Sequence, residues 1–307
     1  MNIRKLFSTI LLCVMTTALI GLVVFDKNST TPQTTQKNQI RIGSKDFTEN
    51  VIVSEIYAQA LEYHGYSVTR VQNIASSVIH NAIVNDEIDL YPEYTGTGLL
   101  SILKEQMQTD PLKVYETVKA QYEQKFQLMW LNYASANDGQ GLVIRTQVAR
   151  ELNIKTISDL QQHANQLRFA SQGEFDQRED GIVGLTKVYG PFQWKANQVY
   201  DNSLKYKILE NDQADVTPAY TTEGQLVNTQ TFTVLEDDKQ FWPPYNLAPV
   251  VRRSTLQNTP EIADILNKVS AHLDTQTMTT LNAKVDVEGQ DYAKVAKEYF
   301  ESIKNGL

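Results

Sequence analysis

Short apolar runs alternate with amphipathic helical segments along most of the chain, and this alternation is the feature that most constrains the fold. Residues 40–43 are typical of a strand, and Thr48 can N-cap a following helix whose apolar residues recur at helical spacing up to Gly65. The same order of strand and helix continues to residue 103 and resumes at residue 141. Because parallel strands must be joined by covering helices, the pattern predicts an α/β fold with mostly parallel sheets.

The two sets of alternating elements predict two α/β lobes, with a helical tail that packs on one of them. A ligand in such an architecture lies at the carboxyl ends of the strands. No internal repeat is expected. The remaining predicted strands are 67–71, 88–91, 141–145, 167–170, 214–219, 232–235 and 248–252, and the remaining predicted helices are 78–83 capped by Ser76 or Ser77, 96–103, 157–166 opened by Ser158, 181–189, 260–273, 275–283 and 292–304.

The N-terminal segment indicates the compartment. Arg4 and Lys5 precede an apolar run at 6–25, which is long enough to span a bilayer as a helix. The positive flank before the run orients the N-terminus to the cytoplasm and the rest of the chain to the outside. Residues 1–27 therefore predict a signal peptide or a retained anchor, and the long apolar run without an A-x-A site favours the anchor.

Residues 28–39 (NSTTPQTTQKNQ) are polar and lack an apolar period, so they predict a flexible tether between the membrane and the folded part. The single cysteine, Cys13, lies inside the apolar run, which excludes a disulfide framework in the exported part. The net charge of −8 and the dispersed basic residues exclude a basic stripe that would bind nucleic acid.

Signals for catalysis are missing from the sequence. No G-x-S-x-G turn and no phosphate-binding glycine loop is present. The chain is therefore expected to be no enzyme and to need no metal or cofactor. A secreted hydrolase or lyase on a two-lobed scaffold and a tethered sensor are the alternatives from other functional classes. The four histidines lack the paired spacing of metal ligands: His64, His80, His163 and His272.

Five landmarks follow one another along the chain: IRIGSKDFTEN (40–50), SSVIHNAIVNDEIDLYPEYTGTGLL (76–100), NDGQGLVIR (137–145), AYTTEGQL (219–226) and DDKQFWPPYNLAPVVR (237–252). In these landmarks the chain resembles the substrate-binding proteins of osmoprotectant ABC importers, which take up glycine betaine, choline or carnitine. It also resembles the closely related ergothioneine-uptake binding domain. The resemblance covers the chain from about residue 40 to its end.

The resemblance implies a two-lobed, periplasmic-binding-protein-like (type II) fold with two crossover strands, at 141–145 and 248–252. Lobe one is then expected at 38–142 plus 247–307, and lobe two at 143–246. The implied function is that of an extracytoplasmic protein, held at the membrane by its N-terminal segment, that captures a small quaternary-ammonium ligand. It would deliver this ligand to a permease and ATPase complex. An ergothioneine-binding protein of the same transporter family is the alternative.

Three tyrosines match aromatic positions of the family's ligand cage: Tyr94 in EYTGT, Tyr220 in AYTTEG and Tyr245 in PPYN. A trimethylammonium group has a permanent charge and no N–H to donate, so a protein must surround it with aromatic faces or carboxylates. Tyrosine suits this role because its ring faces the cation while its hydroxyl finds a polar partner. Each of the three follows or ends a predicted strand, which places it at the edge of the cleft.

Gln140 stands where many osmoprotectant binders carry a fourth aromatic residue. Its amide, together with Asn137 and Asp138, could hydrogen-bond a ligand that is larger or more polar than glycine betaine. Ergothioneine, a betaine that carries a thione-imidazole, would fit such a change.

A ligand carboxylate requires cations and free N–H groups. Lys45 and Arg178 align near positions where some relatives hold this carboxylate, and Arg178 could bind it bidentately. Ser76 and Ser77 open a predicted helix whose N-terminal amides favour an anion, and Thr48 is a further candidate contact. For choline, which has no carboxylate, three acids could meet the ammonium group instead: Asp46, Asp138 and Glu223.

Overall fold

A computed structural model describes residues 37–173 and 175–306 of the chain. In these residues ten strands form two five-stranded sheets. The strands are β1 (Lys37–Lys45), β2 (Tyr66–Ile74), β3 (Leu90–Tyr94), β4 (Leu128–Trp130), β5 (Gln140–Arg145), β6 (Arg168–Ser171), β7 (Ala196–Val199), β8 (Val216–Tyr220), β9 (Phe232–Val234) and β10 (Leu247–Arg252). The first sheet has the order β2-β1-β3-β10-β4 and the second the order β7-β6-β8-β5-β9. We call the parts built on these sheets the first and the second lobe.

One strand in each sheet runs against the others. β10 is antiparallel to β3 and β4, and β5 is antiparallel to β8 and β9, whereas the pairs among β1, β2 and β3 and among β6, β7 and β8 are parallel. These two strands contain the residues predicted to cross between the lobes. Leu247 pairs with Tyr94, and Gln140 pairs with Tyr220, so each begins opposite the carboxyl end of a neighbour. β10 and β5 therefore each enter their sheet at the end where the neighbouring parallel strands finish.

Helices cover both faces of the first sheet. Leu247 and Val251 face a core that includes α1 and the C-terminal helices, while Ala248 and Val250 face a core that includes α2 and α4. The predicted helical tail thus packs on the first lobe. The helices are α1 (Thr48–Tyr63), α2 (Ile79–Val84), α3 (Thr95–Thr97), α4 (Pro111–Phe126), α5 (Thr146–Glu151), α6 (Ile157–His163), α7 (Ile182–Tyr189), α8 (Lys205–Glu210), α9 (Arg253–Asn258), α10 (Glu261–Ala271), α11 (Thr275–Asp286) and α12 (Tyr292–Ile303), with a π-helical turn at Gly98–Ile102 and 3-10 turns at Ala164–Gln166, Asn202–Leu204, Gly224–Val227 and Lys304–Gly306.

Two predicted helix starts in the first lobe are wrong. The N-cap of α1 is Phe47, and Thr48 is its first helical residue. The N-cap of α2 is Val78, which makes no side-chain capping bond, so neither Ser76 nor Ser77 caps this helix. A capping hydroxyl must reach the backbone N–H two or three residues onward, and in both helices the turn before the first helical residue decides which side chain is in reach.

The start of α6 and several short elements also differ from the prediction. Thr156 is the N-cap of α6, and it forms a capping box with Asp159, while the hydroxyl of Ser158 binds Asp238 instead. The elements that the sequence did not predict are α4, α5, α8, α9, β4 and β7. Most of them are six residues or shorter, too short for an apolar period to stand out.

The N-terminal predictions lie mostly outside the described residues. The predicted anchor at 6–25 and the tether up to residue 36 are not described, and β1 includes the last three residues predicted for the tether. None of the described helices combines the length and the apolar character needed to cross a bilayer. The predicted lobe boundaries stay predictions, although the first sheet takes its strands from 37–130 and 247–252 and the second from 140–234.

The two lobes carry an internal repeat, so the expectation of none is wrong. NDEIDLYPEYT (85–95) leads into and past β3, and NDQADVTPAYT (211–221) leads into and past β8. Six of the eleven positions are identical. A match this short, between distant stretches of chain, becomes visible only when both are seen at the same place in their sheets.

The aspartates of this repeat anchor equivalent charge clusters. In the first lobe, β1 and β10 each contribute an arginine to the two aspartates, and the group is Arg41, Arg252, Asp86 and Asp89. In the second lobe, β6 and β5 do the same, and the group is Arg168, Arg145, Asp212 and Asp215. Burial would raise the pKa of Asp215, but hydrogen bonds from the two arginines outweigh it and lower the pKa to about 2.

We expect Asp215→Asn to lower the free energy of unfolding by about 2–3 kcal/mol, because it leaves two arginines short of a buried counter-charge. Urea denaturation at neutral pH measures this, and Asp212→Asn is the matched control because Asp212 belongs to the same cluster but is exposed. Because the pKa of Asp215 is lowered on folding, its contribution is present above the ordinary carboxylate pKa and is lost as the pH falls toward about 2. Equal stability of the two variants at every pH would contradict this role.

Candidate ligand-binding site

A cavity of about 450 Å³ lies where the carboxyl ends of the two sheets face each other. Side chains from both lobes and from both crossover segments line it. Three predicted contact residues do not line it: Asp46, Ser77 and Asn137. The predicted contact residues that do are Lys45, Thr48, Ser76, Tyr94, Asp138, Gln140, Arg178, Tyr220, Glu223 and Tyr245.

Two threonine hydroxyls fix the crossover segments to the sheet ends. Thr95 and Thr221 are the last residues of the repeat, directly after β3 and β8. The hydroxyl of Thr95 donates to the carbonyl of Pro244 at 2.9 Å, and the hydroxyl of Thr221 donates to the carbonyl of Asn137 at 2.8 Å. Each threonine also accepts a backbone N–H two residues further along the same crossover, at 3.0 Å in both cases. The repeat therefore positions both crossovers in the same way.

This equivalence relates the residues of the cavity in pairs. Tyr94 and Tyr220 hold the same position of the repeat, at the ends of β3 and β8. Tyr245 and Asp138 each follow the residue whose carbonyl a threonine binds. An aromatic ring in one crossover thus corresponds to a carboxylate in the other.

The three tyrosines contribute rings with different exposure. Tyr94 is 3% exposed, and its hydroxyl donates to Glu49 Oε1 at 3.0 Å. Tyr220 is 46% exposed on the side of the second lobe. Tyr245 packs directly on the backbone of Gly96, where an added Cβ would lie 2.7 Å from the ring. Burial is the main cause that raises the pKa of all three hydroxyls, so the rings stay neutral.

Two carboxyl groups face the cavity, of which Glu49 is buried and Asp138 partly buried. Glu49 accepts hydrogen bonds from Tyr94 and from Asn282 Nδ2, and Asp138 accepts one from the Thr222 hydroxyl at 2.6 Å. Among the described residues, no cation forms an ion pair with either carboxylate. Burial raises the pKa of Glu49, and burial together with the charge of Glu49 raises that of Asp138 well above its usual range.

The cations of the cavity are paired with acids of their own lobe. Lys45 is 2% exposed and forms an ion pair with Glu93, so it is neither a surface charge nor an unpaired one. Its ammonium lies 5.1 Å from the centre of the Tyr94 ring. The Arg178 guanidinium binds the carboxylate of Asp180, but it remains half exposed at the cavity.

The amides predicted to meet the ligand are also engaged with the protein. Gln140 Nε2 donates to Asp180 Oδ2 at 2.6 Å, which connects it to Arg178. Asn137 Oδ1 accepts the backbone N–H of Tyr245 at 2.6 Å, so Asn137 positions this tyrosine from behind the cavity.

The hydroxyl residues have different surroundings. Ser76 lines the cavity, but it lies in the turn before α2, which is too short to act as an anion-binding helix. Thr48 lines the cavity as well, and its hydroxyl donates to Asp286 at 2.6 Å.

Sequence reasoning missed several polar residues of the cavity. Glu49 lies in the first turn of α1, where an acid is ordinarily explained by the helix dipole. Asn282 lies on α11, far along the chain from the other cavity residues, and Thr222 follows the repeat by one residue. The position next to the repeat is the one signal that could have identified Thr222.

Comparison with known proteins gives a consistent result. Residues 38–302 match the family described as the substrate binding domain of ABC-type glycine betaine transport systems. A glycine-betaine-binding protein of Pseudomonas aeruginosa is 35% identical over 275 residues, which cover 86% of this chain and 88% of that protein. An ergothioneine transport permease/ergothioneine binding protein of Helicobacter pylori is 32% identical over 273 residues, or 87% of this chain, and this chain spans 48% of that protein's length.

The fold has the same relatives. A crystal structure named as a glycine betaine/carnitine/choline ABC transporter superposes with a TM-score of 0.81 at 28% identity, covering 87% of this chain and 98% of that one. The predicted family and the two-lobed α/β fold are thereby confirmed. These relatives are transporter components rather than enzymes. The chain belongs to the family of substrate-binding domains of ABC-type glycine betaine transport systems.

Proposed function

We propose that this chain captures a quaternary-ammonium solute of the glycine betaine, choline or carnitine type in the cavity and delivers it to an ABC importer. The observation that carries the proposal is a cavity lined by three neutral tyrosine rings and by two carboxyl groups, Glu49 and Asp138, that lack a cationic partner among the described residues. In this proposal Tyr94, Tyr220 and Tyr245 form an aromatic cage. Each ring face in contact with the cation is worth about 0.5–2 kcal/mol.

The charges around the cavity favour a cation. Lys45 is neutralised by Glu93 and Arg178 by Asp180. The acid Glu223 is itself neutralised by a buried lysine. What remains is an excess of acids over unpaired cations among the described residues, and three of these acids line the cavity: Glu49, Asp138 and Asp286. A permanent cation without N–H groups satisfies such a site because it needs charge and contact surface rather than directed hydrogen bonds.

The second lobe offers a place for the anionic end of a zwitterion. A neighbouring pocket of about 250 Å³ shares Gln140, Arg178 and Tyr220 with the main cavity and extends to Lys205 and Phe175. Its charged lining residues, Arg178 and Lys205, are both cations, and although each is paired with an acid, neither acid lines this pocket. Acids predominate in the main cavity. This pocket also favours the alternative ligand, ergothioneine. Its imidazole-thione makes it larger than glycine betaine, so it would need the additional volume.

The setting of the protein belongs to the same proposal. The apolar run at 6–25 would anchor the chain, or direct its export, so that the binding lobes lie outside the cytoplasm next to a permease and ATPase complex. A hydrolase or lyase is the competing function. Recovery of a bound solute chemically unchanged after long incubation would support binding, and conversion of the solute would support the enzyme.

Isothermal titration calorimetry of the full-length protein in a non-ionic detergent is the direct test. We expect at least one of glycine betaine, choline, carnitine and ergothioneine to bind with micromolar affinity, the range that a few aromatic faces and a compensated charge can supply after ordering costs. Failure of all four to bind at millimolar concentration would refute the proposal.

Tyr220→Ala tests the cage with little risk to folding, because the side chain is 46% exposed. We expect about tenfold weaker binding of the same solute, which corresponds to one lost cation–π contact, and nearly unchanged binding in Tyr220→Phe, which keeps the ring. Tyr63→Ala is the matched control, since Tyr63 is 57% exposed and does not line the cavity. Wild-type affinity in Tyr220→Ala would exclude this ring from the cage.

Gly96→Ala tests whether the Tyr245 ring, which packs on Gly96, contacts the ligand. Its new Cβ would lie 2.7 Å from the Tyr245 ring, so we expect the ring to shift and the affinity to fall about fivefold as the cation–π contact weakens. Gly306→Ala serves as the control, because its Cβ would meet His272 at an ordinary 3.6 Å. Unchanged affinity in Gly96→Ala, with the fold intact by circular dichroism, would show that the ligand does not contact Tyr245.

A further inference from the structure

The carboxyl groups of Glu49 and Asp138 have a role beyond attraction of a cation. We propose that Glu49 and Asp138 share one proton in the empty site and release it to solvent when a quaternary ammonium enters, so that these two residues select the charge of the ligand. The proposal rests on the proposed function and specifies how the site recognises its substrate.

The first argument is the geometry of the two groups. Glu49 comes from α1 of the first lobe and Asp138 from the crossover before β5. Glu49 is 3% exposed and Asp138 is partly buried, and both line the cavity. The Thr222 hydroxyl donates to Asp138 at 2.6 Å and also lies against Glu49. One small hydroxyl therefore lies between two carboxyl groups. Two carboxylates that contact the same hydroxyl, with no cation paired to either among the described residues, disfavour the state in which both are ionised.

The second argument is a shortage of donors. The donors around the two carboxyl groups are the hydroxyls of Tyr94 and Thr222 and the amide of Asn282, which is divided between Glu49 and the carbonyl of Thr222. The acceptors are four carboxyl oxygens and Asn282 Oδ1, a buried atom that has no hydrogen-bond partner among the described residues. Because acceptors outnumber donors, a proton on one carboxyl group improves the hydrogen bonding of the empty cavity.

The third argument concerns the other charges that face the pair. Lys45 on β1 is the cation that acts on Asp138, but its ammonium is bound to Glu93 on β3. Glu223, after β8, adds negative charge toward Asp138 although a lysine of α8 is bound to it.

On α11, Asp286 is hydrogen-bonded to the Thr48 hydroxyl and raises the negative charge of the cavity further. None of these elements supplies an unpaired cation within the described residues. Burial therefore raises the pKa of Glu49, and burial together with the charge of Glu49 raises the pKa of Asp138.

The fourth argument comes from the repeat. Asp138 holds the place in its crossover that Tyr245 holds in the other. At this equivalent position one lobe presents a ring face and the other presents an ionisable group. A ring attracts a cation without changing its own charge state, whereas a carboxyl group can do so only after losing its proton.

The direction of the coupling follows from these arguments. A trimethylammonium group favours the ionised form of both acids, so binding lowers their pKa and the shared proton passes to the buffer. Binding is therefore expected to release about one proton per ligand, and the affinity to rise by up to about tenfold per pH unit while the pair is protonated. Above the pKa of the pair the affinity becomes independent of pH.

Calorimetry of the full-length protein with choline chloride and with glycine betaine, in buffers of different ionisation enthalpy, counts the released protons. Binding to the wild-type protein without proton release would overturn the proposal whatever the stability of the variants. Glu49→Gln and Asp138→Asn are each expected to abolish most of the release and to flatten the pH dependence. Glu179→Gln is the matched control, because Glu179 is an exposed carboxylate of the second lobe whose partner is Lys187.

A neutral ligand provides a second, independent readout. The carbon isostere of choline, in which a tert-butyl group replaces trimethylammonium, fits the same rings but cannot compensate ionised carboxylates. We expect it to bind without proton release and at least about tenfold more weakly than choline, with a smaller difference in Asp138→Asn.

The outcomes separate the two proposals. Binding of choline or glycine betaine with no proton released at any pH between about 5 and 8 would overturn the shared proton and leave the proposed function intact. Proton release that persists in both Glu49→Gln and Asp138→Asn would assign it to other groups and also overturn the proposal. If neither these ligands nor carnitine or ergothioneine binds, the proposed function fails, and the proton exchange fails with it.

Discussion

The site depends on two antiparallel strand pairings, β10 with β3 and β5 with β8. Each pairing brings a crossover segment to the carboxyl end of a parallel sheet, and a threonine hydroxyl after the sheet strand fixes the segment in place. Without these bonds, Tyr245 and Asp138 would be loop residues with no fixed relation to Tyr94 and Tyr220. With them, four side chains from distant parts of the chain face a single cavity.

In the part of the chain that the structure describes, acidic side chains are paired with arginines in the scaffold but not in the cavity. Behind the sheets, the repeated aspartates each meet two arginines, and this compensation lowers the pKa of Asp215 and of Asp89 although burial opposes it. Inside the cavity, the buried Glu49 and the partly buried Asp138 receive only hydroxyl and amide donors. Acidic side chains therefore stabilise the fold where arginines pair with them, whereas in the cavity Glu49 and Asp138 have no cationic partner among the described residues. A cationic solute would supply this missing partner, which is the basis of the proposed selectivity of the site.

The internal repeat explains both the symmetry of the site and its departure from symmetry. The shared tyrosine of the two NDxxD segments supplies one ring from each lobe. Beyond the shared positions the lobes have diverged, so that Glu93 of the first lobe, the partner of Lys45, corresponds to Ala219 of the second. The acid-lined main cavity and the second pocket, whose charged lining residues are a lysine and an arginine, thus lie beside two versions of the same supersecondary unit. Such an arrangement suits a zwitterion whose two ends carry opposite charges.

The sequence by itself determined the α/β class, the two sets of elements, the crossover strands and the tyrosines at strand ends, because these follow from local periodicity and from motifs that stay in one stretch of chain. It did not determine that Lys45 is bound to Glu93 and Gln140 to Asp180, or that Asn137 supports Tyr245 from behind. It also gave no reason to place Glu49, Asn282 and Thr222 around one another. Those contacts join residues up to 233 positions apart, and only the folded chain decides which polar groups find partners and which buried carboxylates are left without a counter-charge.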